Sequence, residues 1–155
     1  MSRVQLALNV ADLDAAVDFY SKLFGTPPAK VRPGYANFAV AEPPLKLVLI
    51  EGGGASGTLN HLGVEVGSSA EVAATQARLA GEGMATTTEE QVTCCHAVQD
   101  KVWVDSPDGS PWEIYTVLAD AEMPEGELND PAPPGAACGA RRPDLAAHGD
   151  PGPCC

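Results

Sequence analysis

The sequence has no long hydrophobic run and few basic residues. No apolar stretch approaches the roughly 18 residues that a membrane-spanning helix requires. Lysine and arginine together number 9 against 21 aspartate and glutamate residues, so the formal net charge is -12. Nucleic acids and anionic membranes are bound through basic patches or stripes, which this sequence lacks. We therefore expect no nucleic-acid partner and no membrane partner.

The N-terminus also lacks the layout of a secretory signal peptide, because Met1 leads almost directly into a strand-like pattern. We therefore expect a cytoplasmic protein. In such a protein, five cysteines indicate metal or thiol chemistry rather than a disulfide framework. Four of the five form two adjacent pairs, Cys94-Cys95 and Cys154-Cys155.

The pair Cys94-Cys95 is poorly suited to a disulfide between its own members. Neighbouring Cα atoms lie about 3.8 Å apart, below the usual disulfide range. As thiolates, the two side chains present two soft donors to a centre such as Cd(II), Cu(I), Hg(II) or As(III). The alternative is that they are two small hydrophobic residues in a loop or strand.

Hydrophobic periodicity predicts one order of elements twice. In the first half, a strand over 4–10 precedes a helix over 13–24 capped by Asp12, and strands over 35–40 and 45–50 follow. In the second half, a strand over 59–66 precedes a helix capped by Ser68, and strands over 84–93, 101–105 and 111–117 follow. The glycine-rich stretch 52–57 lacks the Lys-Ser/Thr ending of a phosphate-binding loop and is interpreted as a linker.

This order predicts an α+β fold of paired βαβββ modules that form a curved mixed sheet around a metal site. The domain is expected to span 1–118, with modules at about 1–51 and 58–118. Residues 119–155 are rich in Ala, Pro, Gly and Asp without periodicity, which predicts a disordered tail. The tail contains Cys138, His148 and the terminal pair, so it is either inert or an arm with accessory thiols at Cys154 and Cys155.

Strand alternation places Gln5, His61 and Glu113 on the side of the sheet opposite the aliphatic residues that cover the helices. One imidazole, one carboxylate and one amide oxygen suit a divalent first-row metal, close to the ligand set of non-haem Fe(II). Glu51 and Glu65 share this inward direction and are reserve candidates, and His96 is another because it adjoins the cysteine pair. Superposing the halves places Leu47 opposite Glu113. It also assigns about ten extra residues of the second half to the region of the cysteine pair.

The sequence resembles the vicinal oxygen chelate superfamily, which includes glyoxalases, bleomycin-resistance proteins and extradiol dioxygenases. More narrowly, it resembles the carbon–arsenic lyases and cadmium-induced proteins over roughly residues 1–120. The segments that carry the narrower resemblance are VQLALNV (4–10), KLVL (46–49), LNHLGVEV (59–66), TCC (93–95), QDKVWV (99–104) and WEIY (112–115).

The resemblance implies an Fe(II)-dependent enzyme that uses O₂ to cleave methyl or aryl groups from trivalent organoarsenicals, giving arsenite. His61 and Glu113 match the family's metal ligands and catalytic positions, and Gln5 matches a first-strand ligand that is His in some members. Because Gln5 departs from a two-His set, other divalent metals remain open. Cys94 and Cys95 match the pair that binds trivalent arsenic.

Three alternatives remain at the level of sequence. A non-catalytic cadmium- or arsenical-binding resistance protein would use the thiols but would not need Glu113. A glyoxalase would need a fourth ligand on the fourth strand, where the superposition gives Leu47 and only Glu51 lies nearby. Drug sequestration of the bleomycin type would not explain the paired thiols. The protein is expected to be a monomer or a homodimer.

Overall fold

Residues 2–121 are the part of the chain that this computed structural model describes, and they form two consecutive βαβββ units. The first unit contains β1 (Arg3–Val10), α1 (Leu13–Phe24), β2 (Lys30–Arg32), β3 (Tyr35–Val40) and β4 (Leu45–Glu51). The second contains β5 (Leu59–Glu65), α2 (Ser69–Gly81), β6 (Thr87–Cys94), β7 (Ala97–Asp105) and β8 (Pro111–Asp120). The predicted fold class is confirmed, whereas Cys138, His148, Cys154 and Cys155 lie outside the described residues.

The strands form one eight-stranded mixed sheet in the order β2-β3-β4-β1-β5-β8-β7-β6. The two units join where β1 pairs with β5 in the antiparallel direction. On either side of this junction the pairing is parallel, β1 with β4 and β5 with β8. The topology therefore makes β1, β5 and β8 neighbours, and these are the strands that carry Gln5, His61 and Glu113.

Helix α1 covers one face of the sheet and begins as its sequence predicts. The Asp12 carboxylate accepts a hydrogen bond from the Ala15 backbone N–H at 2.8 Å, which satisfies one of the unpaired donors of the first turn. Gly25, at φ 62°, provides the left-handed residue that ends the helix. The apolar stripe of the helix packs on the outer face of β3 and β4. This outer core includes Leu13, Ala36, Phe38, Val40, Leu47 and Leu49.

The superposition of the two halves was wrong by one residue on β4. Ala7 pairs with Val48, and Gly63 pairs with Glu113, so the position that corresponds to Glu113 is Val48. Leu47 instead packs in the outer core. The error has a physical cause: β4 is apolar on both faces, so its pattern does not distinguish one register from the next.

The same shift removes Glu51 from the inner face. Its Oε1 accepts a hydrogen bond from the Leu13 backbone N–H at 3.1 Å, at the start of α1. Glu51 was therefore wrong as an inward candidate, and the fourth-strand ligand that a glyoxalase would need is not supplied by either Leu47 or Glu51.

The strands also differ from prediction by more than one residue in four places. The three-residue β2 was not located, β6 begins at Thr87 rather than at 84, β7 begins at Ala97 rather than at 101, and β8 continues to Asp120 rather than ending at 117. Residues 119 and 120 therefore belong to β8 and not to the tail, because they pair with Val98 and Ala97 of the long β6–β7 hairpin. Neither helix in 2–121 combines the length and the apolar character needed to cross a membrane.

A matched pair of leucine substitutions tests the corrected register. Leu47 is 2% exposed and Leu23 is 59% exposed. Leu47→Ala would leave a cavity beneath α1 and should lower the free energy of unfolding by about 2–5 kcal/mol. Leu23→Ala should change it by no more than about 0.5 kcal/mol. Urea denaturation of both variants is the measurement, and equal effects would contradict the outward placement of Leu47.

Candidate functional site

Gln5, His61 and Glu113 converge on the concave inner face of the sheet, and each is at least 95% buried. Gln5 Nε2 lies 3.0 Å from His61 Nε2 and 2.6 Å from Glu113 Oε1. His61 Nε2 lies 3.3 Å from the same carboxylate oxygen. Adjacent ligands on a divalent ion with bonds of about 2.1 Å are themselves about 3 Å apart, so the spacing of the three side chains suits such an ion.

The ring of His61 is oriented by a neighbouring amide. Its Nδ1 lies 2.7 Å from Asn60 Oδ1, an acceptor, so Nδ1 carries the proton and Nε2 keeps its lone pair toward the site. The Asn60 amide is fixed in turn, because its Nδ2 donates to Asn9 Oδ1 at 2.9 Å. Asn9 is anchored by donating to Thr58 Oγ1. This chain of side chains fixes the orientation of the His61 ring.

The amide of Gln5 is turned with its nitrogen toward His61 and Glu113, while Oε1 accepts a hydrogen bond from the Tyr115 hydroxyl. An amide binds a metal through oxygen, so Gln5 would serve as a ligand after a half-turn about its terminal bond. Within residues 2–121, no three His, Cys, Asp or Glu side chains form a metal-binding group. A three-residue protein ligand set at this site therefore requires Gln5.

Glu113 is held by Lys101, which the sequence analysis did not select. Lys101 Nζ donates to Glu113 Oε2 at 3.1 Å, and the lysine is only 2% exposed. Burial alone would raise the pKa of Glu113, but Lys101 and His61 together outweigh that effect and hold the pKa below its ordinary value. The carboxylate is thus ionised, with Oε1 left facing His61 and Gln5. The predicted strand began at Lys101 itself. If it had covered the whole of β7, strand alternation would have placed Lys101 on the inner face of the sheet.

The inward candidate Glu65 belongs to a separate cluster beside the site. It forms ion pairs with Arg3 at 3.1 Å and with Lys46 at 3.4 Å, and its Oε2 accepts from the Tyr115 hydroxyl at 3.1 Å. Partial burial raises the pKa of Glu65, but the two cations outweigh it and the pKa lies below the ordinary value. Glu65 therefore contacts the three candidate ligands through Tyr115, not directly.

The cysteine pair lies at the tip of the β6–β7 hairpin. Cys94 is the last residue of β6, and Cys95 and His96 form a two-residue turn with φ of 54° and 60°. Two-residue hairpin turns with positive φ usually contain Asn or Gly, so Cys-His gave no turn signal in the sequence. The two Sγ atoms are 3.0 Å apart, well beyond the disulfide bond length of about 2.05 Å.

The hairpin tip reaches across to the first unit. The His96 ring lies 5.5 Å from the ring of Tyr35 on β3, and Lys30 Nζ on β2 donates to the His96 carbonyl at 3.1 Å. Cys95 packs against an inner apolar cluster that includes Ala7 and Val48. His96 is thus buried against the first unit, and these contacts hold the turn in place.

A small cavity connects the Cys95-His96 turn with the three candidate ligands. Its volume is about 10 Å³ for a water-sized occupant, which corresponds to roughly one water molecule. The lining residues are Gln5, Tyr35, Lys46, Val48, His61, Cys95, Gln99 and Glu113. Cys95 and the three candidate ligands therefore face one enclosed space.

Comparison with known proteins places this geometry in a family. The model of the Glyoxalase/Bleomycin resistance protein/Dioxygenase superfamily matches residues 3–114. A "trivalent organoarsenical cleaving enzyme" from Thermomonospora curvata is 66% identical over 123 residues, 79% of this chain and 82% of that protein. "Cadmium-induced protein CadI" from Mycobacterium tuberculosis is 66% identical over 122 residues, 79% of this chain and 80% of that protein.

Solved structures share the fold at lower identity. A Mn(II)-bound glyoxalase from Novosphingobium aromaticivorans has a TM-score of 0.54 at 21% identity, covering 82% of this chain and 44% of that chain. An extradiol ring-cleaving dioxygenase from B. fuscum has a TM-score of 0.55 at 20% identity, covering 77% and 34%. The chain therefore belongs to the Glyoxalase/Bleomycin resistance protein/Dioxygenase superfamily, in the branch of the organoarsenical-cleaving and cadmium-induced proteins.

Proposed function

We propose that this protein is an arsenic-resistance enzyme, a lyase that cleaves the carbon–arsenic bond of trivalent methyl- or arylarsenicals and releases arsenite. One observation carries the proposal: Cys95, with Cys94 beside it, lines the same enclosed space as Gln5, His61 and Glu113. Thiols that suit arsenic and side chains that suit a metal are thus adjacent. The name of the relative that is 66% identical supports the same substrate class.

The thiol pair suits a monosubstituted arsenic(III) centre. Such a centre has two exchangeable ligands, and two sulfurs 3.0 Å apart can both bond one atom at about 2.3 Å. The third substituent of arsenic, the organic group, would then project from the hairpin tip toward the three candidate ligands. Because the cavity holds only about one water molecule, the tip must move outward to admit the arsenical and then return.

Gln5, His61 and Glu113 would hold a divalent metal ion, which we propose to be Fe(II), with other divalent ions compatible with the same ligands. When bound, this metal would activate O₂, which is the co-substrate. The protein would contribute an imidazole oriented by Asn60, a carboxylate kept ionised by Lys101, and an amide oxygen. For a methyl group the atoms balance when the methylarsenical and O₂ give formaldehyde and arsenite, with carbon oxidised and arsenic still trivalent.

A second function is favoured by the similarity to cadmium-induced proteins and by the soft character of the thiols. In this function the protein binds cadmium or an arsenical through Cys94 and Cys95 without chemistry. Such a protein would require the thiols but not Glu113. Glu113 therefore separates the two functions.

Glu113→Gln should reduce arsenite release from a trivalent methylarsenical at least 100-fold, because the carboxylate ligand is lost. The matched control is Glu90→Gln, which changes an exposed residue of β6 and should retain wild-type activity. Arsenite and formaldehyde are measured together by chromatography, with Fe(II) or O₂ withheld in parallel. Tight arsenical binding by the wild type, with no arsenite released under any of these conditions, would exclude the lyase and leave the binding protein.

Cys95→Ser and Cys94→Ser should each weaken binding of a trivalent arylarsenical by more than tenfold, because a hydroxyl is a poor ligand for a soft centre. Both variants should bind Mn(II) as the wild type does, since neither thiol belongs to the metal ligand set. Tryptophan fluorescence titrations measure the arsenical, and calorimetry measures the metal. Unchanged arsenical affinity in both variants would show that the hairpin tip is not the arsenic site.

Lys101→Met should destabilise the metal-free protein by about 3–5 kcal/mol, because it leaves a buried carboxylate without its cation. A divalent ion would supply positive charge at the same place, so saturating Mn(II) should raise the melting temperature more in this variant than in the wild type. Lys22→Met is the control: Lys22 forms an exposed ion pair with Asp18, and its loss should cost less than about 1 kcal/mol. Equal Mn(II) shifts in wild type and Lys101→Met would contradict this account of Glu113.

A further inference from the structure

The use of Gln5 as a metal ligand poses a problem that His61 and Glu113 do not share. A side-chain amide has one end that binds a metal and one end that cannot, and the two ends have nearly the same shape. In this structure the nitrogen end faces Glu113 Oε1, at 2.6 Å. A neighbouring group that favours the reversed orientation would therefore strengthen metal binding.

Tyr115 is the group on the far side of the amide. Its hydroxyl lies 2.5 Å from Gln5 Oε1 and 3.1 Å from Glu65 Oε2, and the tyrosine is 1% exposed. A phenol has a single proton, so it can donate to only one of these two oxygens at a time. Whichever oxygen it leaves must have another donor or remain unsatisfied.

Glu65 can accept a hydrogen bond from the Tyr115 hydroxyl but has no proton to donate. Its carboxylate is ionised between Arg3, which binds it through Nε and Nη2, and Lys46. When the Tyr115 hydroxyl donates to Glu65, its oxygen presents only lone pairs to Gln5. An amide oxygen facing those lone pairs would be repelled, whereas the amide N–H would form a hydrogen bond. This arrangement directs Gln5 Oε1 toward His61 and Glu113.

We propose that Tyr115 and Glu65 are positioning residues that select the metal-binding orientation of the Gln5 amide. The inference rests on the metal site of the proposed function. In the metal-free arrangement, Gln5 donates to Glu113 and Tyr115 donates to Gln5. In the metal-bound arrangement, the amide is rotated by a half-turn, Gln5 donates to Tyr115, and Tyr115 donates to Glu65. Tyr115 and Gln5 remain hydrogen-bonded in both, so the exchange leaves no buried group between them unsatisfied.

Mn(II) affinity, measured by calorimetry on the full chain, tests this inference without requiring turnover. Tyr115→Phe removes the hydroxyl and should weaken Mn(II) binding by about 10-fold, the lower limit for residues that orient a metal ligand. Glu65→Gln keeps the size of the side chain but can donate to Tyr115, so the phenol is freed to face Gln5 Oε1. This variant should weaken binding in the same direction by about threefold or more.

The decisive comparison uses Gln5→His, whose imidazole presents a nitrogen to the metal and has no oxygen end to select. In that background, Tyr115→Phe should change Mn(II) affinity by less than about threefold. A general structural role of Tyr115 would instead give the same loss in both backgrounds, and that result would overturn the proposal. Unchanged affinity of Tyr115→Phe in the wild-type background would also overturn it.

Failure of the underlying metal site would look different. A wild-type protein that does not bind Mn(II), or that binds it equally well after His61→Ala, would remove the proposed site itself. Thermal unfolding of each metal-free variant shows whether it folds. If Tyr115→Phe does not fold, Glu65→Gln replaces it in the test and is compared in the wild-type and Gln5→His backgrounds. Glu65→Gln should weaken Mn(II) binding in the wild-type background and should have little effect in the Gln5→His background.

Discussion

The antiparallel pairing of β1 with β5 is the contact on which the site depends. It joins the two units and places Ala7 opposite His61, two residue pairs away from Gln5. The parallel pairing of β5 with β8 then places Glu113 beside Gly63. A side chain at Gly63 would meet the Glu113 side chain at 3.0 Å, so glycine there leaves room for the carboxylate to turn inward. Three residues distant in sequence thus meet because two similar units share one sheet.

The two units have different roles at the site although their order of elements is the same. The second unit extends its β6–β7 hairpin and carries the thiol pair at the tip, whereas β2 of the first unit has only three residues. The short β2–β3 hairpin then provides the surface on which the tip rests, through Lys30 and Tyr35. The hairpin therefore covers the inner face only because its counterpart is short.

Much of this arrangement could be predicted from sequence because the relevant signals are local. The capping residues Asp12 and Ser68 predicted where both helices begin. Strand alternation predicted that Gln5, His61 and Glu113 lie on one face of the sheet. The register of β4 could not be predicted, since apolar residues on both faces remove the alternation that sets register. The turn at Cys95-His96 could not be predicted either, because its positive φ values are maintained by contacts with β2 and β3 and not by residue preference.

The same non-local contacts explain why the polar residues around the ligands were missed or misplaced. The roles of Lys101 and Tyr115 depend on partners that lie on other strands. Lys101 binds Glu113, and Tyr115 contacts Gln5 and Glu65. Among residues 2–121, the buried ammonium of Lys101 is paired with Glu113, and that of Lys46 is paired with Glu65, which Arg3 also binds. Glu113 therefore has a cationic partner without a metal. A divalent ion would therefore have to displace existing interactions to bind. The soft thiols stand outside these ion pairs, so in the proposed function arsenic and a metal would occupy adjacent places without sharing ligands.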